Sequence, residues 1–475
     1  MSQSTESGST PLARTVQRLA EDKSWLSTRN SILAVLAGLV IGLLSLYSPW
    51  VGLGVVVALA FVLAALTKPV ILGYAMIIAT VIASGMPRDR IVPLLRPNEA
   101  AMVIVFVLSL PIILFSPRHV SRRLRTLDLG MALFLLGMVL LPAAFYLLRG
   151  ETLLLQDVMA LAAPAQYVLL YVVFQYIPTS EKDRQRLVYL MLIGGAVVAA
   201  IGLMQAARLP FIEGFLQTWY PSSHLDQARE YGRVTSIVPG WNVFGILMMI
   251  NLLIVRSLYI SGVKLSRPGR LIVWIAAGLC GAGLLASGSF AGIIGLGIGI
   301  LIIGRFDRQN FQRVLLLGIL LALAAFVLRS FIAERIEFQF GQGNSLIPQT
   351  LQYRFELWES TFIPAVREHG IWGLSPDFSD VFQWDYAESQ YLYLLLRSGM
   401  VSLVGHLLWA GITIAWLYRR VRENFGISRS VIVSALAVLV VLTIAGITNE
   451  VFSFSGAVDY LWILLGIAAS TERMA

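Results

Sequence analysis

Three residues of this chain pair a reactive side chain with a position that simple structural roles explain only in part: Glu388, Arg354 and Arg233. Glu388 opens the segment Glu388-Ser-Gln-Tyr391-Leu-Tyr-Leu-Leu-Leu-Arg397-Ser-Gly399, where a polar stretch gives way to an apolar one. A carboxylate there either caps a helix and complements its dipole or acts as a general base. Continued as a helix, the segment puts Glu388 on one face with Tyr391, Leu392, Leu395 and Gly399, with Arg397 about 180° away, so the two charges are not expected to pair. Arg354 lies in 351–368, which reads as one amphipathic helix burying Leu351, Phe355, Trp358, Phe362 and Ala365. Arg354 borders that face, whereas Glu356, Glu359 and Arg367 point away from it. A guanidinium partly desolvated beside aromatics is either paired structurally or aimed at an anion, since its planar fork suits phosphate. Arg233 precedes Pro239-Gly240-Trp241-Asn242-Val-Phe-Gly245, and its plainer reading is an interfacial anchor beside Trp241.

Other polar positions carry weaker signals. Ser287-Gly-Ser289-Phe290-Ala-Gly292 and Asn449-Glu450 are tight turns between apolar runs, where small residues ordinarily serve helix packing. The four histidines are scattered without ligand spacing, and neither an Asp-x-Asp pair nor a Gly-rich nucleotide loop occurs, so metal-bound nucleotide-sugar or ATP chemistry finds no support. Cys280 stands alone in an apolar run and reads as packing.

The elements that must position these residues are membrane helices. Hydrophobic residues make up 57% of the 475 positions and charged ones 13%, against roughly 25% charged in soluble domains, which excludes an ordinary soluble enzyme and a disordered chain. Apolar runs bounded by charge or Pro give fourteen candidate spans, near 31–48, 51–66, 69–85, 100–115, 129–148, 158–177, 187–206, 237–255, 271–286, 289–304, 314–330, 389–418, 430–448 and 457–470. The expected fold is an all-α, polytopic bundle of about 12 to 14 such helices. Its parts are a cytoplasmic tail, 1–30; helices over 31–330 with an outer loop at 208–235; a large outer loop, 331–388; and the last helices, 389–475. The net charge of +9 follows from this topology, because most of the 36 Lys and Arg fall on alternate connections, which places both termini inside. Nucleic acid is not implied. Both long loops then face outward, and chemistry outside the bilayer has only those loops to occupy.

With that order and sidedness, the residues resemble a known family: the bacterial O-antigen polymerase and ligase superfamily of multispanning glycosyltransferases. The resembling parts are Arg233-Val-Thr-Ser with Pro-Gly-Trp-Asn242-Val-Phe-Gly, the turn Ser287-Gly-Ser289, Arg354-x-x-x-Trp358 leading to Pro364 and His-Gly-Ile-Trp-Gly373, and Glu388-Ser-x-Tyr391 leading to Arg397-Ser-Gly399. They span about residues 230–400; the first 200 match only in being hydrophobic.

The resemblance implies a GT-C-like enzyme of the bacterial inner membrane, without cofactor or obligatory metal. It would transfer a glycan from a polyprenyl-pyrophosphate carrier to a carrier-linked acceptor, with the lipid bilayer and a chain-length regulator as further partners. Arg233 and Arg354 would stabilise the leaving pyrophosphate and Glu388 would take the acceptor proton. Asn242, Ser289, Trp358, Tyr391 and Arg397 would contact substrate. Ligases of the superfamily usually carry His where this chain has Glu388, and often Arg where it has Phe290, so the polymerase branch is favoured. The competing class is a flippase or other transporter, against which stands the near absence of charge within the spans.

Overall fold

The computed structural model describes residues 60–91, 93–115, 126–221, 225–227, 232–306, 349–376 and 387–471. The chain divides into two compact units, Met1–Lys68 and Pro69–Ala475; in the first, residues 60–67 are helical. Every long element of the second unit's described residues is a helix. It contains α1 (Val70–Ala83), α2 (Pro97–Phe115), α3 (Thr126–Leu148), α4 (Leu155–Tyr176), α5 (Glu181–Ala206), α6 (Pro210–Trp219), α7 (Trp241–Ile260), α8 (Arg267–Ser287), α9 (Phe290–Gly304), α10 (Gln349–Leu357), α11 (Ile363–His369), α12 (Gln390–Val421), α13 (Gly426–Ala445) and α14 (Ala457–Ser470).

Among the described residues eight helices, α2 to α5, α7, α8, α12 and α13, are long and apolar enough to cross a membrane, and α1, α9 and α14 are shorter apolar helices. Large apolar side chains also cover their outer surfaces: Leu148 is 81% exposed, Leu301 72% and Trp274 65%. Such surface is stable only in hydrocarbon, so the protein is a multi-pass helical membrane protein. These helices fall on the expected spans from 69–85 onward. The spans near 31–48 and 314–330 lie outside the described residues, and that near 51–66 largely does.

Because lipid is as apolar as the interior, association rests on close packing and on polar ties between helices. Gly245 of α7 shows the first: a Cβ there would meet Ser289 and Ser287, so α7 crosses the α8–α9 turn backbone to backbone. Gly288 ends α8 at φ +59°, and the Ser289 hydroxyl accepts from the Gly292 N–H to cap α9. At the centre stands α14, every residue of which is buried, packed on α4, α13 and α7.

Two breaks shape the interior. At 1.5 Å per residue α14 is only about 21 Å long, less than a hydrocarbon core of about 30 Å. The chain between α13 and α14, residues 446–456, supplies the rest as mostly buried, irregular backbone, which membranes tolerate only inside protein or beside a polar cavity. The second break lies in α12 at Ser398 and Gly399, whose φ of −149° and +70° interrupt the helix.

Candidate functional site

The break in α12 is where the 349–376 segment docks. Helical carbonyls and amides freed by the kink find partners in that segment: Leu374 N–H donates to the Leu396 carbonyl at 2.6 Å, and Met400 N–H to that of Gly370 at 2.8 Å. A Cβ on Gly399 would run into the Ile371 carbonyl and the Gly373 nitrogen, so the approach requires glycine as well as the positive φ. The segment is tied at its far end by the Ser375 hydroxyl, which donates to Asp157 at the start of α4, and by Arg149, which donates to the Gly373 carbonyl.

Docking decides which face of the loop helix is buried: Trp358, Phe362 and Ala365 of the expected face join the packed cluster, but Phe355 does not and Leu357 does. Phe355 is 47% exposed, while Leu357 and Phe362 are buried and Trp358 packs against them. Two causes act. A π-helical turn over Trp358–Phe362 rotates the later residues relative to α10. Two polar anchors also select the face: the Trp358 indole donates to the Ala387 carbonyl at 2.8 Å, and Arg354 pairs with Glu388 at 2.8 Å. Arg354 is thus drawn to 16% side-chain exposure, with Glu388 at 34%, whereas Arg367 stays exposed as its helical position predicts.

Glu388 does not begin the helix. Helix α12 starts at Gln390, and Glu388 sits before it at φ +53°, a left-handed conformation uncommon for a non-glycine residue. The turn is held from below by Glu450 of the 446–456 segment, whose buried carboxyl accepts the Ala387 N–H. Gln390 completes the clamp: its N–H donates to the carbonyls of Gly446 and Asn449, and its side-chain oxygen accepts from Phe452 N–H at 3.1 Å.

Glu388, Gln390, Arg397, Asn449 and Glu450 line one cavity of about 690 Å³ bounded also by α2, α3, α4, α7 and α14, a size suited to a small ligand. Although 388 and 397 lie on opposite sides of an ideal helix, both reach it, because Glu388 is outside the helix. They do not pair, as expected. Arg397 instead donates to the Ala160 carbonyl and lies 5.9 Å from the centre of the Tyr393 ring.

The remaining candidates divide. Asn242, at the start of α7, lines the cavity and accepts from the Ser289 hydroxyl at 3.2 Å; Ser289 is buried behind it and positions Asn242 and the helix crossing. Tyr391 turns to α13 and donates to the Thr443 carbonyl at 2.5 Å, a tie between helices. Arg233 stacks 4.8 Å from the centre of the Trp241 ring, and Trp241 lines the cavity. The two arginines expected to share an anion therefore differ: Arg354 meets Glu388, while Arg233 reaches the cavity wall through an indole.

Four charged groups that the sequence reading passed over also line the cavity, Arg88, Asp89, Arg96 and Glu99 from the stretch before and at the start of α2, together with Glu450, which it took for part of a packing turn. Arg88 pairs with Glu99 at 3.4 Å, and Glu99 also accepts the Arg96 N–H at 2.9 Å. A signal was present. Three arginines stand between Met86 and Pro97, on a connection where the charge bias disfavours them.

Compared with protein-family models and with curated proteins, the chain matches none.

Proposed function

We propose that this protein is an inverting glycosyltransferase that extends a polyprenyl-pyrophosphate-linked glycan, acting as a polysaccharide polymerase on the extracytoplasmic side of a bacterial inner membrane with both termini in the cytoplasm. The observation that carries the reading is the Arg354–Glu388 pair beside a polar cavity sunk into an apolar helical bundle: a cation suited to phosphate and a carboxylate suited to proton transfer, 2.8 Å apart.

The two neutralise each other in this structure, and a lipid pyrophosphate would separate them. Its oxygens compete for the Arg354 fork, and Glu388, relieved of its partner, can accept a proton. In the transfer the acceptor oxygen attacks the anomeric carbon from the face opposite the carrier and its proton passes to Glu388. The anomeric C–O bond breaks, and the electron pair leaves with the pyrophosphate, stabilised by Arg354. One displacement inverts the anomeric centre. Amphipathic substrates suit the location, because the carrier's chain can stay in lipid while its head reaches the cavity.

The test is chain growth from a single substrate. Purified protein in lipid, given one polyprenyl-pyrophosphate oligosaccharide repeat, should yield a ladder of products that grow by one repeat each. Transfer only to an added lipid or protein acceptor would make it a ligase, and no transfer to any acceptor would remove the glycosyltransferase reading.

A further inference from the structure

Three arginines and four carboxylates line the cavity, and pairing leaves two of the arginines over. Each carboxylate is engaged. Asp89 accepts the Leu94 N–H at 2.5 Å, Glu99 accepts the Arg96 N–H and pairs with Arg88, Glu388 pairs with Arg354, and Glu450 accepts the Ala387 N–H. Among the described residues no carboxylate forms an ion pair with the guanidinium of Arg397 or of Arg96. Asp459 acts on Arg96 electrostatically without contacting it, and the charged neighbour of Glu450 is Glu388, not Arg397.

Arg397 is 4% exposed, so its charge is almost wholly out of water. Its placement has a local cause. Pro164 has no N–H to give the Ala160 carbonyl one turn earlier in α4, and Nη2 of Arg397 donates to that carbonyl instead. That bond requires a donor, not a charge. Of the other two nitrogens, Nε is buried without a partner, while Nη1 makes no hydrogen bond and keeps its opening to the cavity. A guanidinium is always charged, and a charge taken from water without a counter-ion is strongly destabilising. The Tyr393 ring, 5.9 Å away, offers only its quadrupole. Arg96 borders the same cavity, half-buried, and among the described residues its guanidinium N–H groups are all unbonded.

The missing counter-ion is an anion that reaches Arg397 through the cavity. A carboxylate fits, because it takes N–H bonds from a guanidinium in a matching geometry and its single charge balances a single buried cation. On a sugar ring it arrives with hydroxyls, which suit the amides of Gln166 and Asn242 that line the same cavity. A pyrophosphate carries more negative charge than one buried cation offsets, and its proposed partner is Arg354, which is outside the cavity lining. A neutral sugar would leave the buried charge uncompensated. We propose that Arg397, with Arg96 as a second cation, is a subsite for the carboxylate of an acidic sugar, so that the glycan handled here is an acidic one. The ligand class rests on the cavity's own chemistry, and its place in the reaction rests on the glycan-transfer reading.

Thermal unfolding of the full-length protein in lipid nanodiscs tests it with pairs of trisaccharides at millimolar concentration, the members of a pair differing only in a uronic carboxylate against the corresponding primary alcohol. Inorganic pyrophosphate is a parallel probe. At least one acidic trisaccharide should raise the wild-type midpoint by a few degrees and its neutral partner by clearly less. The difference should vanish in Arg397→Gln and shrink in Arg96→Gln, whereas pyrophosphate should shift wild type and Arg397→Gln alike. In the chain-growth assay on an acidic repeat, Arg397→Gln should raise KM by about ten- to a hundredfold, the effect of one charge-assisted hydrogen bond. Should Arg397→Gln fold poorly, Arg96→Gln decides, and an acidic preference that it leaves intact would overturn the subsite. Equal shifts within every pair, an acidic shift that survives both variants, or a pyrophosphate shift lost in Arg397→Gln would do so too, the last by giving Arg397 to the carrier's phosphates. Acidic shifts lost in the variants of a protein that never extends a glycan would keep the subsite and remove the polymerase; chain growth with an unchanged KM in both variants would do the reverse.

Discussion

Glu388→Gln is expected to lower turnover by roughly 10² to 10⁴, the range attributed to a general base, while donor binding stays near wild type. The substitution preserves the size of the side chain and an oxygen facing Arg354 at its 2.8 Å contact. It removes the only property the reaction requires of it, the capacity to take a proton. Its backbone should be unaffected, since the φ of +53° is held by neighbours: Glu450 accepts from Ala387, and Trp358 donates to it. Turnover and donor affinity measured together decide the matter. A loss of binding with unchanged turnover would make Glu388 a partner of Arg354 and nothing more.

Arg354→Ala should reduce turnover by about a hundredfold, corresponding to the roughly 3 kcal/mol of one transition-state donor. Arg354→Lys should recover little, because a point charge replaces a planar fork. Arg367→Ala should be nearly silent, since its side chain is exposed. Arg354→Ala also strips Glu388 of its counter-charge, so a structural role has to be separated from a chemical one. The double variant Arg354→Ala with Glu388→Gln does so when set against Glu388→Gln alone. If the pair only holds the loop, the double variant should be no less active than Glu388→Gln; if Arg354 carries leaving-group charge, it should lose a further factor of about a hundred.

What the sequence determined by itself is the class of the protein. Spans of apolar residues must become helices, because a bilayer leaves no other partner for their backbone groups, and lipid-facing surfaces such as those of α8 and α9 follow directly. Helical phase was enough to put Arg367 in solvent, but it set Glu388 and Arg397 on opposite sides of a helix, whereas both line one cavity because Glu388 lies outside the helix. It was not enough for Phe355, because a π turn and two polar anchors outweighed one aromatic face.

Only the tertiary structure brought Arg354 to Glu388, 34 positions along the chain, and set Glu450 beneath the same turn from a segment 62 positions beyond it. Neither meeting has a periodicity or motif behind it. Both depend on irregular backbone, the break at Ser398 and Gly399 and the stretch between α13 and α14, where the chain leaves the helical ladder and must find its hydrogen bonds in other elements. Those partners are distant in sequence, so local propensity cannot name them. The same holds for His406, an unremarkable residue within an apolar helix until the rings of α3, α4, α14 and the irregular segment close around it.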